Sequence, residues 1–390
     1  MLRELRAACR VSYLALDDGS ASTDEVDAAT EYCDALWRVP MRTAKKGTAA
    51  FYGELARNLM STLPYAVWKY RSPEMRDAIR DLVRGEAIDL IVCDFLAPAV
   101  NLPDDLPVPT VLFQHNVEAR IWERHAEVAT HPLRRQYFEA QWLRMQAFER
   151  AQCRRVDHVV AVSADDRAYF HDEYGVQSVS AVATGVDTDF FRPDPSDGAD
   201  PNSIVFTGSM DWMPNEDAVR WFTAEILPRI RNEMPNAELA IVGRNPTVDV
   251  QALAEHADGV QVTGTVADVR PYLERAAVVV VPLRIGGGTR LKIFEAMAME
   301  KAIVSTTIGA EGLPVVDGEH LLLADTVNGF ASSAVRLMRE VTLARQIGTQ
   351  AARLVRSRFA WKGVAGEFIE MLRDVHARFT KRDPLAAVTP

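Results

Sequence analysis

Ala276-Ala277-Val278-Val279-Val280-Val281-Pro282-Leu283 runs into Arg284-Ile285-Gly286-Gly287-Gly288-Thr289-Arg290-Leu291-Lys292, and then into Ile293-Phe294-Glu295-Ala296-Met297-Ala298. The unbroken valine run predicts a strand covered on both faces. The three glycines let the backbone come close to a ligand with no Cβ in the way. The helix predicted behind them aims free N–H groups at that spot, which favours an anion. Arg290 and Lys292 add positive charge to a first turn that ordinarily prefers acids, an arrangement suited to a docked diphosphate. Glu295 follows about one turn on, where a carboxylate can accept hydrogen bonds from sugar hydroxyls. Together these features suggest a nucleotide-sugar site. On these residues alone a plain strand-to-helix turn stays open. A Walker loop is excluded, because no Gly-Lys-Ser/Thr follows at the needed spacing. The dinucleotide fingerprint Gly-x-Gly-x-x-Gly is absent as well.

The chain has 390 residues, enough for two domains with full cores. Its apolar fraction of 48% and charged fraction of 25% are those of an ordinary soluble globular protein. A formal net charge of −10 argues against general nucleic-acid binding. Cys9, Cys33, Cys93 and Cys153 are scattered, with no Cys-x-x-Cys pair. They read as reduced, mostly buried thiols of a cytoplasmic protein rather than a disulfide frame or a zinc site. No His-x-x-x-His spacing points to a metal. No secretory signal and no membrane-length apolar run is evident.

Strand-like runs alternate with helical segments almost throughout, which predicts α/β architecture with parallel sheets. In the first half, strands are predicted near Arg10–Ala15, Ala35–Val39, Ile88–Cys93, Thr110–Gln114, His158–Val162 and Val179–Ala183. Helices are predicted over Phe51–Tyr70, Pro73–Gly85, Pro132–Arg155 and Ala164–Tyr174. Phe191–Asn202 carries Pro193, Pro195 and Pro201 among Asp, Ser and Gly, and reads as an exposed linker. The pattern then restarts, with strands near Ser203–Thr207, Glu238–Val242, Val260–Val262, Ala277–Val281, Ala302–Ser305 and Leu321–Leu323. A last helix spans Trp361 to about Phe379, and the tail from Arg382 reads as disordered. Residues 38–71 interleave Arg42, Lys45, Lys46, Arg57, Lys69 and Arg71 with Phe51, Tyr52, Tyr65, Trp68 and Tyr70. Such a segment can touch an anionic lipid surface, or can be a solvated helix with its core face.

From Ser203 onward the chain resembles the retaining glycosyltransferases of family 4, also called group 1. The pieces that carry the likeness are Phe206-Thr207-Gly208-Ser209-Met210, Ile241-Val242-Gly243, Val262-Thr263-Gly264, Pro282-Leu283, Glu295-Ala296-Met297-Ala298 and Ile308-Gly309-Ala310-Glu311-Gly312. The run Gly286–Lys292 is similar to a bacterial branch used in polysaccharide and exopolysaccharide assembly. The first half matches more loosely through Phe113-Gln114-His115-Asn116, Ala161-Val162-Ser163 and Thr184-Gly185-Val186-Asp187.

The resemblance implies a GT-B fold, two Rossmann-like domains with parallel sheets facing across a cleft. It implies an acceptor-side domain over residues 1–190 completed by a crossing helix over 362–380, and a nucleotide-sugar-binding domain over 202–360. It places a strand and a glycine-rich loop at the start of the first domain. Here Met1–Arg6 reads as the end of the helix that follows them, so both are missing from the pattern. The implied activity is retaining transfer of a hexose from a nucleotide diphosphate sugar to a glycan or lipid-linked acceptor. A sugar-nucleotide epimerase of the same fold and a non-catalytic nucleotide-sugar-binding or scaffold protein are the alternatives. No metal or other cofactor is implied. The implied location is cytoplasmic, at most peripheral on the inner membrane face.

By resemblance, donor binding falls to Gly208, Gly243, Gly286, Gly287, Gly288, Thr289, Arg290, Lys292 and Glu295. Glu295 matches the second glutamate of the family's Glu-x7-Glu motif, whose task is to hold ribose hydroxyls. Gly287 stands where the first glutamate is expected, so backbone N–H groups of Gly287, Gly288 and Thr289 are the replacements. The family's Arg and Lys after the first strand of the donor domain are absent from Gly208–Asn215, which leaves their work to Arg290 and Lys292. His115 matches the first-domain histidine, assigned to the sugar or phosphate. Asn116, Glu118 and Arg120 follow it as weaker candidates. Gly185 and Asp187 read as mainly structural.

Overall fold

A computed structural model describes residues 1–45, 47–129, 131–194, 198–285 and 291–382. The chain divides into two units: Met1–Ala183 together with the chain from Lys362 onward, and Thr184–Trp361.

In the first unit, β1 (Ser12–Asp17) and β2 (Ala35–Pro40) pair in parallel as a two-stranded sheet. β3 (Ile91–Asp94), β4 (Thr110–Gln114), β5 (His158–Ala161) and β6 (Val179–Ala181) form a second parallel sheet in chain order. Among the described residues no strand joins the two sheets. β4 and β5 are buried along their whole length, as expected of strands covered by helices on both faces. Leu112, Val159 and Ala161 meet Met145, Phe148, Phe170 and Tyr174 in the core. His158 is buried in that sheet between Ser178 Oγ and Ser180 Oγ, both at 2.8 Å. Burial, then the Arg378 charge, pushes its imidazole down to about 4, so the neutral ring is part of the packing.

Local chemistry sets the helix starts. Ser72 Oγ accepts from Met75 N at 3.0 Å with Pro73 in the first turn, and Ser163 Oγ accepts from Asp166 N at 3.0 Å. The predicted single helix Phe51–Tyr70 is instead two, Ala49–Leu59 and Tyr65–Trp68. Pro64 starts the second helix and cannot continue the first, and Asn58 Nδ2 donates to Leu63 O to close the break.

In the second unit, β7 (Asp200–Thr207), β8 (Glu238–Val242), β9 (Val260–Gly264), β10 (Ala276–Val281), β11 (Ile303–Ser305) and β12 (Leu322–Leu323) form one parallel sheet. Its order is β12-β11-β10-β7-β8-β9. This is the doubly wound arrangement, with its switch point between β7 and β10. The predicted linker ends earlier than Asn202: β7 begins at Asp200, which pairs with Ala276 while Arg275 Nη2 holds its carboxylate at 2.9 Å.

Within the second unit, the segment that begins at Thr184 is bonded to the segment that ends at Trp361. Val186 N donates to Phe359 O at 2.8 Å and Trp361 N donates to Val186 O at 3.2 Å. Gly185 packs so closely on the Trp361 indole that a Cβ there would lie 2.5 Å from Cε3. This gives Gly185 the structural role read from the sequence. The helix Trp361–Arg382 then buries Val364, Phe368 and Val375 in the first unit.

Candidate functional site

In a doubly wound sheet, ligands sit beyond the carboxyl ends of the strands at the switch point. Here those ends are Thr207–Gly208 after β7 and Pro282 after β10. Gly208 and Gly243 meet: Gly208 N donates to Val242 O at 3.0 Å, and a Cβ on Gly243 would fall 1.7 Å from Gly208 O. Only glycine permits that approach. A Cβ on Gly208 would lie 2.7 Å from both Asn215 Nδ2 and Lys292 Nζ.

Lys292, one turn before Glu295 on the helix Leu291–Ala298, reaches back over the end of β7. Its Nζ donates to Asn215 Oδ1 at 2.7 Å and stands 4.1 Å above the centre of the Phe206 ring. Asn215 is buried, and its Nδ2 donates to Ser209 O at 2.8 Å, so one amide holds both the loop and the cation. Glu295 is half-buried. Burial pushes its carboxyl up, and the Lys292 charge pulls it back down. Thr207 Oγ1, at the end of β7, is buried with no hydrogen-bond partner. Gly286, Gly287, Gly288, Thr289 and Arg290 lie outside the described residues. The entry to that turn is fixed by Arg284, whose guanidinium grips Asp217 at 2.6 and 3.0 Å.

The loop after β8 supplies a cation the sequence reading did not find. Arg244 Nε donates to Ser209 Oγ at 3.0 Å, Ser209 Oγ donates to Asp211 Oδ1 at 2.6 Å, and Asn245 Nδ2 donates to Asp211 Oδ2 at 3.1 Å. The Ser209 bond chiefly holds the Asp211 carboxyl below its ordinary range. A positive group therefore does stand at this end of the sheet, delivered by the second strand of the unit rather than the first.

His115 follows β4 at the same end of its sheet where Asp94 closes β3. Its Nε2 lies 2.6 Å from Asp94 Oδ1, and since a carboxylate oxygen accepts, Nε2–H is the donor of this bond. Phe95 stacks on the imidazole at 4.0 Å and Phe113 tilts against it at 4.5 Å. The next residues are held from below. Glu149 is fully buried and accepts from Glu118 N at 2.8 Å, Ala119 N at 3.2 Å and Tyr174 Oη at 2.8 Å. It thereby caps the helix Glu118–Val128 that begins three residues after His115. Burial pushes the Glu149 carboxyl up to about 8 and also raises Glu118. Asn116 Nδ2 donates to Glu118 Oε1 at 2.8 Å. Arg120 instead lies over the Tyr169 ring at 4.6 Å, a packing contact. Asp94 and Phe95 escaped the sequence reading because only the parallel pairing of β3 with β4 brings them to His115.

In the basic, aromatic stretch, several rings are packed: Phe51 against Tyr65 at 5.7 Å, Arg71 over Trp68 at 4.8 Å and Lys69 over Tyr70 at 4.8 Å. Tyr52, Leu59 and Met60 stand out instead, at 61%, 63% and 92% exposure. Among the described residues no helix is long and apolar enough to cross a membrane.

Residues 1–190 match the family model described as Glycosyltransferase Family 4, and residues 201–340 match Glycosyl transferases group 1. A GDP-mannose-dependent alpha-(1-6)-phosphatidylinositol monomannoside mannosyltransferase of Mycobacterium tuberculosis is 27% identical over 239 residues, covering 56% of this chain and 62% of that protein. An uncharacterized 44.6 kDa protein in the cps region of Klebsiella pneumoniae is 22% identical over 170 residues, covering 42% of this chain and 44% of that protein. The chain thus spans about half the length of these curated relatives. Among solved structures, the fold is similar to that of a sucrose-phosphate synthase from Thermosynechococcus elongatus, with TM-score 0.68, 17% identity and coverage of 94% of this chain and 100% of that one. It is similar also to Anabaena HepE in complex with UDP and glucose, with TM-score 0.66, 13% identity and coverage of 95% and 94%.

Proposed function

This chain belongs to the family 4, group 1 glycosyltransferases and has their GT-B fold, and on that premise we propose that it moves a hexose from a nucleotide diphosphate sugar to a glycan or lipid-linked acceptor with retention at the anomeric carbon. The observation that carries this reading is the group at the switch point of the second unit. Lys292 is held over Gly208 by the buried Asn215, and the half-buried Glu295 sits one turn further on.

In this reading Lys292, Arg244 and the N–H groups at the start of the helix Leu291–Ala298 take the charge of the leaving diphosphate. Glu295 accepts from the ribose hydroxyls. His115, with its proton fixed on Nε2 by Asp94, contacts the sugar or phosphate. The acceptor hydroxyl attacks the face from which the diphosphate departs, so no protein nucleophile is needed and positioning with charge stabilisation supplies the rate. Neither metal nor cofactor takes part, so transfer should persist in a chelator. The UDP and glucose bound by Anabaena HepE and the GDP-mannose dependence of the mycobacterial relative support a nucleotide-sugar donor. The exposed Tyr52, Leu59 and Met60, among the cations of 38–71, support peripheral contact with the inner face of a membrane carrying a lipid-linked acceptor.

The test is thermal-shift screening against UDP-, GDP- and ADP-sugars, followed by product analysis with the donor that stabilises. A new glycoside is expected. An epimerised sugar nucleotide would assign the chain to the alternative chemistry. No stabilisation by any nucleotide sugar would sink the donor site.

A further inference from the structure

Four rings stack in a column through the first unit. Phe95 lies on His115 at 4.0 Å with 23° between planes, His115 lies 4.5 Å from Phe113, and Phe113 stacks on Phe368 at 5.3 Å. Phe113 and Phe368 are buried, while Phe95 at the outer end is 46% exposed.

Phe95 is also held at a φ of +70°. Among the described residues only Asn245 and Glu300 share a positive φ without being glycine. Asparagine tolerates that region. Glu300 closes the helix Leu291–Ala298, where a left-handed residue is usual, with Glu300 N and Lys301 N bonded back to Met297 O and Ala296 O. Phe95 has neither excuse. It follows a strand, it is bulky, and glycine would meet the backbone requirement without strain. Its ring fills no core, being nearly half in solvent. What the strain preserves is an aromatic face set against His115.

We propose that the outer face of Phe95 is a stacking platform for a pyranose ring, with Asp94 and His115 at its rim bonding the ring hydroxyls. A pyranose presents polarised C–H groups on one face and hydroxyls around its edge. The C–H face suits the negative face of an aromatic ring, and the edge suits a carboxylate and an imidazole. Asp94 Oδ1 is taken by His115, and Oδ2 keeps its accepting capacity. This rests on the sugar-transfer reading, and the pyranose belongs either to the donor or to the acceptor.

The experiment is saturation-transfer NMR on the full chain, with methyl α-mannopyranoside and methyl α-glucopyranoside as probes. Wild type and Phe95→Trp should pass saturation to the C–H protons of one ring face. Phe95→Gly should lose about fivefold or more of that signal, yet melt no lower than wild type because the strain is relieved. Phe95→Leu, which keeps bulk without a π face, should lose the signal too. Displacement by UDP-glucose or GDP-mannose, but not by UDP or GDP, assigns the ring to the donor; no displacement assigns it to the acceptor. Absence of saturation in wild type, or equal saturation in Phe95→Gly and Phe95→Leu, overturns the proposal. Sugar binding read this way does not depend on turnover, so a chain that binds the probes and transfers nothing would count against the enzymatic reading alone.

Discussion

Lys292 Nζ donates to the buried Asn215 Oδ1 at 2.7 Å, a bond between residues 77 positions apart in sequence. The bond sets where the charge stands: at the carboxyl end of β7, over Phe206. Lys292→Met keeps the stem on the ring and removes the charge. Isothermal titration with UDP-glucose or GDP-mannose should then show donor affinity weaker by about 1.5–3 kcal/mol, the size of a charge-assisted hydrogen bond. Unchanged affinity for both would refute the assignment of Lys292.

Gly243→Ala drives a methyl group into Gly208 O, because no carbon fits at 1.7 Å. The loops after β7 and β8 must separate, and with them the Arg244–Ser209 bond. A loss of about 1–3 kcal/mol in stability is expected in urea melts, typical of overpacking. Nucleotide-sugar affinity should fall along with it. A variant that melts like wild type would show that this contact yields freely.

Gly185→Ala meets the Trp361 indole in the same way. A loss of about 1–3 kcal/mol is expected. Trp361→Leu removes the ring the methyl collides with, so the double variant should be less unstable than the sum of the two singles. Strict additivity would mean the clash is not the cause.

The buried Glu149 makes stability depend on pH. An unfolded glutamate ionises near 4.5, whereas burial raises the native group to about 8. Between those values the native state binds more protons than the unfolded one, so stability falls as pH rises from about 4.5 to 8. Glu149→Gln cannot ionise and removes this dependence. Thermal melts at pH 5 and pH 8 should show a smaller drop for the variant than for wild type. Parallel pH profiles would contradict the shift. Glu149→Ala instead strands Glu118 N, Ala119 N and Tyr174 Oη, and should cost about 2–4 kcal/mol.

Much of the fold is legible in local pattern. Thr110–Gln114 and Glu238–Val242 are predicted and found with the same ends, as are the helices Pro73–Gly85 and Pro132–Arg155. In these, apolar runs and a first-turn proline mark the boundaries directly. The Pro64 break and the start of β7 at Asp200 are not legible in that way. In the first, one proline outweighs a long helical pattern. In the second, pairing with Ala276 orders a stretch whose composition suits a loop. Gly208, Gly243, Lys292, Glu295 and His115 are visible because each lies in a recognisable motif. Asp94, Phe95, Asn215 and Arg244 are not, since each acquires its neighbours from a different strand or helix. Glu149 reads as one more polar residue on a long helix until folding removes it from water.

The two sheets of the first unit end, among the described residues, on strands with a single partner: β1, β2, β3 and β6. Among the described residues β1 is laddered to β2 alone, and β3 to β4 alone, so along the other border of each no described strand meets the alternate amides and carbonyls. Deuterium should therefore enter Ser12–Asp17 well before it reaches β4.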